Sequence, residues 1–319
     1  MILGLDIVPL SLLMLFGLVL DGLLGEVRFA HPLVGFGRYA NWIEARLNRG
    51  PARVARGLLA WMLAVLAPLT LTVAALFFAG KTLPLTALAL HAVLLYFCIG
   101  LRSLRDHCLP IATALRRGDL AGARCLTQRI VSRDTAQADA QDLSKAAVES
   151  LLENGNDAVF GTLFWFLIAG GPGALLFRLA NTLDAMWGYR NARFLLFGRV
   201  AARLDDGLNW IPARLTAFTY LLLGDSRAAW QCWRTQAPAW PSPNAGPVMA
   251  SGAGALQLAL GGAATYDGMA EMRPPLGSGR LACCDDIERA WRLVSRSAAL
   301  WCCTMIFAAL IVVALEHHA

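Results

Sequence analysis

Long apolar runs alternate with arginine-rich stretches along this chain, and the runs predict its elements. Ile7 to Leu24, Leu58 to Phe78 and Ala298 to Leu315 are long enough to cross a hydrocarbon layer roughly 30 Å thick, which takes about 20 helical residues. Leu83 to Leu101 is slightly weaker and makes a fourth. The first run lacks a basic leader and a small-residue cleavage site, and Asp21 and Gly22 fall near its end, so it reads as a retained anchor.

Val159 to Phe177 is equally apolar, but Gly170, Gly171, Pro172 and Gly173 interrupt it after a helical rise of about 16 Å, half a bilayer. Two half-helices that dip in and return are expected there, and Trp210 to Leu223, broken by Pro212 and Arg214, is expected to behave likewise. Re-entrant backbone survives at membrane depth only where it is buried in protein or lines a cavity. The predicted fold is an all-α polytopic integral membrane protein: about four full transmembrane helices, re-entrant or half helices, and helical loops. Residues 1–319 form a single membrane-embedded domain, with loop regions at 102–157 and 224–297.

Basic residues set the expected orientation. Arg28, Arg38, Arg46, Arg49, Arg53 and Arg56 follow the first span, and Arg102, Arg105, Arg116, Arg117, Arg124, Arg129 and Arg133 follow the Leu83 run, against Lys81 alone in the turn between spans. The long loops should face the cytoplasm, with the N-terminus and the tail Glu316 to Ala319 opposite and an even number of crossings.

Composition agrees with a membrane. The chain has 319 residues, is 57% hydrophobic and only 16% charged, and its mean hydropathy is +0.53, too apolar for an ordinary water-soluble domain. The formal charge is +6, and among the basic residues only Lys81 and Lys145 are lysine. Arginine forks suit phosphate and carboxylate, though codon bias and membrane-edge positive charge explain the excess equally well. The arginines form no continuous stripe, which argues against nucleic acid. Eight cysteines without C-x-x-C spacing or a partnering histidine read as reduced structural thiols. No common nucleotide-loop or metal-helix fingerprint occurs.

Four polar clusters remain. In the first, RIVSRD (Arg129 to Asp134) precedes a helix over Leu143 to Glu153 capped by Asp142 and closed by Asn154 and Gly155. Glu149 and Glu153 share one face of it at i, i+4, an unfavourable like-charge spacing that implies either a solvated face or a cation or donor between them. The second, ENGND (Glu153 to Asp157), reads as a polar turn feeding the half-helix from Val159, at a cavity mouth. The third places Arg178, Asn181, Thr182 and Asp184 on one helix ended by Gly188, followed by Tyr189, Arg190 and Asn191, then Arg199, Arg203 and Asp206 on the next, with Asp205 and Asn209 alongside. Internal Arg–Asp pairing or carboxylates for Mg²⁺ both account for it. The fourth, PSPNAGP (Pro241 to Pro247), presents Ser242 and Asn244 ahead of a helix whose N-terminal amides attract anions, while Ser251, Gly252 and Gly254 suit either close ligand approach or tight helix packing.

The ordered series RIVSRDT, AAVESLLEN, RLANTLDAMWGYRN, ARLDDGLNWIPARLTA and PSPNAG, with LDGLLGE and His31-Pro32 upstream, resembles the CobD/CbiB family of cobalamin-biosynthesis membrane proteins over roughly Asp21 to Arg292. The chain departs from that pattern at Gly25, Glu26, Val27 and Arg28, where the family usually has Gly-Asp-Pro-Arg. It departs again at Gly155, Asn156, Asp157 and Ala158, often Thr-Ser-Asp-Gly, and at Trp240, often His.

The resemblance implies adenosylcobinamide-phosphate synthesis in the bacterial inner membrane, active loops facing the cytoplasm. (R)-1-aminopropan-2-ol, or its O-phosphate, would be joined through an amide to the free propionate of the corrinoid substrate, adenosylcobyric acid. Amide-forming ligases of this class commonly activate the acid with ATP, through an acyl phosphate that needs Mg²⁺ and arginine support. On this reading Asp205, Asp206 and Glu153 hold Mg²⁺, and Arg190, Arg199 and Arg203 bind phosphate or propionate. Asn181, Asn209 and Asn244 orient corrinoid amides, and Asp184 is the candidate base. Arg133, Asp134, Asn154, Arg178, Asn191, Arg214 and Ser242 complete the substrate-binding set. A secondary transporter, or a non-catalytic scaffold for other late corrinoid enzymes, remains the alternative.

Overall fold

The computed structural model describes residues 5–27, 31–266 and 268–318. Arg28 and Ala319, counted above in the charge pattern and the tail, lie outside them. The elements run α1 (Ile7–Leu24), α2 (Pro32–Leu47), α3 (Arg53–Trp61), a π turn (Met62–Leu66), α4 (Ala67–Thr82), α5 (Pro84–Cys98), α6 (Leu101–Arg116), α7 (Leu120–Gln128) and α8 (Ala140–Gly155). There follow a second π turn (Asn156–Phe160), α9 (Gly161–Trp187), α10 (Arg199–Leu208), α11 (Trp210–Leu223), α12 (Ser226–Gln236), a 3-10 turn (Ala237–Ala239) and α13 (Ala245–Leu256). Strands β1 (Leu258–Tyr266), β2 (Met269–Leu276) and β3 (Arg280–Leu281) precede α14 (Cys284–His318).

This is an all-α integral membrane protein carrying one small sheet. Among the described residues, five helical stretches are long and apolar enough to cross a membrane: Ile7–Leu24, Arg53–Thr82, Pro84–Arg116, Ala140–Trp187 and Cys284–His317. Their outer faces leave large apolar side chains uncovered, among them Leu71, Phe78, Phe307 and Leu310, as lipid-facing helices do and soluble surfaces rarely do. All eight cysteines are unpaired thiols.

The chain forms two compact units. The first comprises Met1–Gly100, Gly161–Asn209 and Cys302–Ala319. Its core packs Phe36, Ile43, Trp61, Leu183, Trp187 and Phe197 from α2, α3, α9 and the segment before α10. Gly57 lets α3 close on that segment, since a Cβ there would meet the Phe197 carbonyl oxygen at 2.0 Å.

Within this unit α9 is a hairpin. Its helical geometry fails at Ala169 and Gly170, where Gly170 takes φ 59°, ψ −148°, a backbone state open only to glycine. A Cβ on Gly161 would meet Phe177 Cζ at 2.1 Å and one on Gly173 would meet the Trp165 oxygen at 2.0 Å. A continuous helix would hold residues 161 and 177 about 24 Å apart, so the two arms lie antiparallel about the break. The expected return at Gly170 to Gly173 is therefore present, and buried His91 on α5 accepts the Gly171 N–H at its tip (2.8 Å).

The second unit comprises Leu101–Phe160 and Trp210–Trp301, so both predicted loop regions fold together with α11. At its centre α13 is buried along its whole length. Small residues make that possible: a Cβ on Gly252 would strike Leu152 Cδ2 at 2.6 Å, and one on Gly254 the Ala228 oxygen at 2.7 Å. Tight packing is thus the role of these glycines.

Three expectations need correction here. Trp210–Leu223 is one unbroken helix, because Pro212 stands in its first turn, where no amide is needed, and Arg214 donates to the Trp210 and Pro243 carbonyls. The cap of α8 is Asp139, whose carboxylate takes the Asp142 N–H at 2.8 Å, and ENGND continues helically into a π turn in place of a loop. The segment 258–281, expected to be helical or loop, is a three-stranded sheet in the order β2-β1-β3, with β1–β2 antiparallel and β1–β3 parallel. Two glycines in β1 and two prolines in β2 mask that strand signal.

Candidate functional site

In the first unit the polar face of α9 and α10 gathers the third motif. Asn181 donates to Asp205 at 3.4 Å, and buried Asn209 closes α10 by donating its amide to the Asp205 carbonyl at 2.8 Å. Asp206, half-buried, stands within electrostatic reach of Arg203 and Arg190; burial pushes its carboxyl above the ordinary aspartate range, against the pull of those two arginines. The Asp184 carboxylate folds over Gly188, where a Cβ would meet Oδ1 at 2.1 Å. Arg178 reaches the His31-Pro32 motif: burial lowers the His31 pKa, Glu26 opposes this and Arg178 adds to it. Asn191 is a turn former, taking the Arg193 and Phe194 amides on Oδ1, and Arg190 and Arg199 are exposed.

Asp205 and Asp206 do not clamp one ion between them. Neighbours on a helix leave it on different faces, and Asp205 is buried against Asn181. Among the described residues no group of three or more His, Cys, Asp or Glu could hold a metal ion.

In the second unit the first motif builds a cavity of about 270 Å³ between the 130–133 segment, α8 and the sheet, lined by Arg133, Glu149, Glu153, Asn154, Trp240 and Arg273 among others. The Glu149/Glu153 spacing is answered by cations at Glu149 and not between the two carboxylates. Arg133 and Arg273 both donate to Glu149, Arg273 through two hydrogen bonds of 2.9 and 3.1 Å. The Gly261 amide adds a further bond to Oε1 at 2.8 Å, aimed there by the bulge between Gly261 and Gly262. Charged groups so buried persist only when paired and hydrogen-bonded. Asn154 turns back to Ser150, with 3.0 Å to its carbonyl and 3.1 Å to its hydroxyl.

A larger cavity of about 520 Å³ shares Arg133 and adds Asp134, Thr135, Asp142 and Lys145. Asp134 ties this wall to the hairpin by accepting the Gly268 amide at 2.7 Å. Arg214, Ser242 and Asn244 form a separate clasp: Arg214 bonds Asn244 Oδ1 at 2.9 Å and the Pro243 carbonyl at 3.0 Å, while Ser242 takes the Ala245 amide at 3.1 Å. These three shape the PSPNAG loop and the start of α13. Arg273 escaped the sequence reading, for nothing in a Pro-rich strand announces a partner on α8, and so did Tyr266 of β1, which lines the same cavity beside Arg273. The Glu149/Glu153 spacing was the only signal, and it does not say which cation answers.

The profile of the family described as CobD/Cbib protein matches residues 14–294. A Stutzerimonas stutzeri protein named cobalamin biosynthesis protein CobD is 55% identical over 91% of this chain and 95% of its own length. Its namesake from Chromobacterium violaceum is 51% identical over 96% and 99%, and that from Mycobacterium tuberculosis (strain H37Rv) 36% identical over 92% and 95%. No solved structure matches the chain. With nearly its whole length covered by the profile and by these relatives, the chain belongs to the CobD/CbiB protein family.

Proposed function

We propose that the protein, which acts in cobalamin biosynthesis, joins aminopropanol or its O-phosphate to the free propionate of adenosylcobyric acid through an amide bond. The observation that carries this reading is the second unit's cavity: RIVSRD and AAVESLLEN, two of the family motifs, bring Arg133, Glu149 and Glu153 to one small cavity, where Arg273 of β2 joins them. A carboxylate and an amine need activation to condense. The propionate oxygen attacks the terminal phosphorus of ATP, ADP leaves, the amine attacks the acyl carbon, and phosphate departs as the ammonium proton passes to a base.

Mg²⁺, when bound, would offset the phosphate charge. On the chain's side, Asp206, half-buried beside Arg203 and Arg190, is the carboxylate that would meet it, Arg190, Arg199 and Arg203 supply donors for phosphate or propionate, and Asp184 is the candidate base. The positive-inside pattern supports loops facing the cytoplasm of a bacterial inner membrane, where other late corrinoid enzymes can deliver substrate. The re-entrant α9 hairpin, a device of transporters, favours corrinoid transport as the second reading.

One experiment separates them. Protein purified in detergent is given adenosylcobyric acid, Mg-ATP and each amine in turn, and the corrinoid is weighed by mass spectrometry. A product heavier by the amine less water supports the ligase; unchanged corrinoid mass with either amine overturns it.

A further inference from the structure

Glu153 is the anomaly of the second unit. It stands one turn beyond Glu149 on the same face of α8 and lines the same cavity of about 270 Å³. Yet among the described residues its carboxylate has no hydrogen-bond or ion-pair partner, while Glu149 holds two guanidiniums and a backbone amide. Both arginines are nearly enclosed, with side-chain exposures of 12% for Arg133 and 10% for Arg273. Each guanidinium carries more N–H donors than Glu149 consumes; Arg273 spends its Nε–H on the Gly262 carbonyl at 3.3 Å and lies beside Tyr266, so most of the spare donors are those of Arg133. The wall thus has a cationic end with spare donors and, about one helical turn away, a lone acid.

We infer that this cavity is a binding site for a short zwitterion: Arg133 and Arg273 take its oxyanion, Glu153 takes its ammonium, and Trp240 and Tyr266 flank the carbon spacer. A purely anionic ligand would leave Glu153 unanswered and be repelled by it; a purely cationic one would face the arginines. Glu149 is a positioning residue, aiming both guanidiniums without itself meeting the ligand. The identification of the zwitterion with the amine substrate rests on the ligase reading, whereas the site itself does not. The oxyanion is a phosphate or a carboxylate, and the two are separable by experiment.

The test is calorimetric titration of the full-length protein in detergent with O-phosphoethanolamine, β-alanine, ethanolamine and inorganic phosphate. One of the two zwitterions should bind at least about tenfold more tightly than ethanolamine or phosphate; tighter phosphoethanolamine names phosphate as the oxyanion, tighter β-alanine a carboxylate. Glu153→Gln, which keeps size and shape, should bring the zwitterion down to the affinity of its anion alone and leave inorganic phosphate within about twofold. Arg273→Lys, which keeps the charge, should weaken both about tenfold through the lost fork. Zwitterion affinity unmoved by Glu153→Gln, or phosphate affinity unmoved by Arg273→Lys, overturns the site. Zwitterion binding without any heavier corrinoid would instead sink the ligase reading and leave the site standing. Amide formation with an amine KM indifferent to Glu153→Gln would do the reverse.

Discussion

Arg273 on β2 holds both oxygens of Glu149 on α8, at 2.9 Å to Oε2 and 3.1 Å to Oε1. The two residues belong to segments far apart in the chain, and Arg133 meets the same carboxylate from a third. The bond set therefore joins helix, strand and the RIVSRD segment.

Removing the shared acid should be costly. Glu149→Gln strands two buried guanidiniums against a neutral amide, and loss of one partner from a buried ion pair typically costs about 3–5 kcal/mol. Chemical unfolding in detergent should show a drop of that order. A change of about 1 kcal/mol or less would mean that the two arginines find other partners.

The hairpin of α9 should depend on close backbone contact. Gly173→Ala places a methyl group 2.0 Å from the Trp165 carbonyl oxygen and should lower the yield of folded, detergent-soluble protein severely. Gly207→Ala on α10, where a Cβ meets nothing within 4 Å, should be neutral or stabilise by about 0.5–1 kcal/mol through helix propensity. Equal tolerance at both positions would contradict the antiparallel arms.

Acid should loosen the segment that follows α9. The Arg193 guanidinium on Glu44 holds that carboxyl below its ordinary value, with burial opposing and Asn48 adding a hydrogen bond. A depressed folded-state pKa contributes stability that is fully present above the unfolded value of 4.5 and is lost as pH falls through the lower folded value. Hydrogen exchange of residues 188–198 should thus accelerate below about pH 4.5, and Glu44→Gln should abolish that acid response. Exchange in the Gln variant that still speeds up over the same range would locate the titrating group elsewhere.

The α9–α10 face is tested by Asp205→Asn, Asp206→Asn and Arg203→Ala. Loss of amide-forming activity with unchanged membrane insertion is expected for all three, and full activity would remove the residue concerned from the site. Asp206→Asn should also shift the Mg²⁺ dependence of the rate to higher concentration, an effect not expected of Asp205→Asn, because Asp205 is turned into the protein against Asn181.

Much of the fold was legible in the sequence. Run lengths and the Gly170 to Gly173 break announced the spans and the hairpin, because a membrane forces every backbone amide to be bonded within its own segment and so writes helix length directly into apolar length. The i, i+4 spacing of Glu149 and Glu153 left a solvated face or a nearby cation or donor open, since like charges on one helix face persist at a cost unless something answers them. Pro212 misled, because proline breaks a helix only beyond its first turn, and the sequence does not say where that turn begins.

What the sequence by itself determined was the local: which segments are helical, where they are interrupted, and which polar residues are too many for their setting. Only the tertiary structure decided that Arg273 and Arg133 share one carboxylate, that the Glu153 carboxylate is left without such a bond among the described residues, and that Asn181 is the donor to Asp205. Helix periodicity relates residues three or four apart, whereas the partner of a buried charge is chosen by packing between distant segments, where desolvation makes a fit of a few tenths of an ångström decisive.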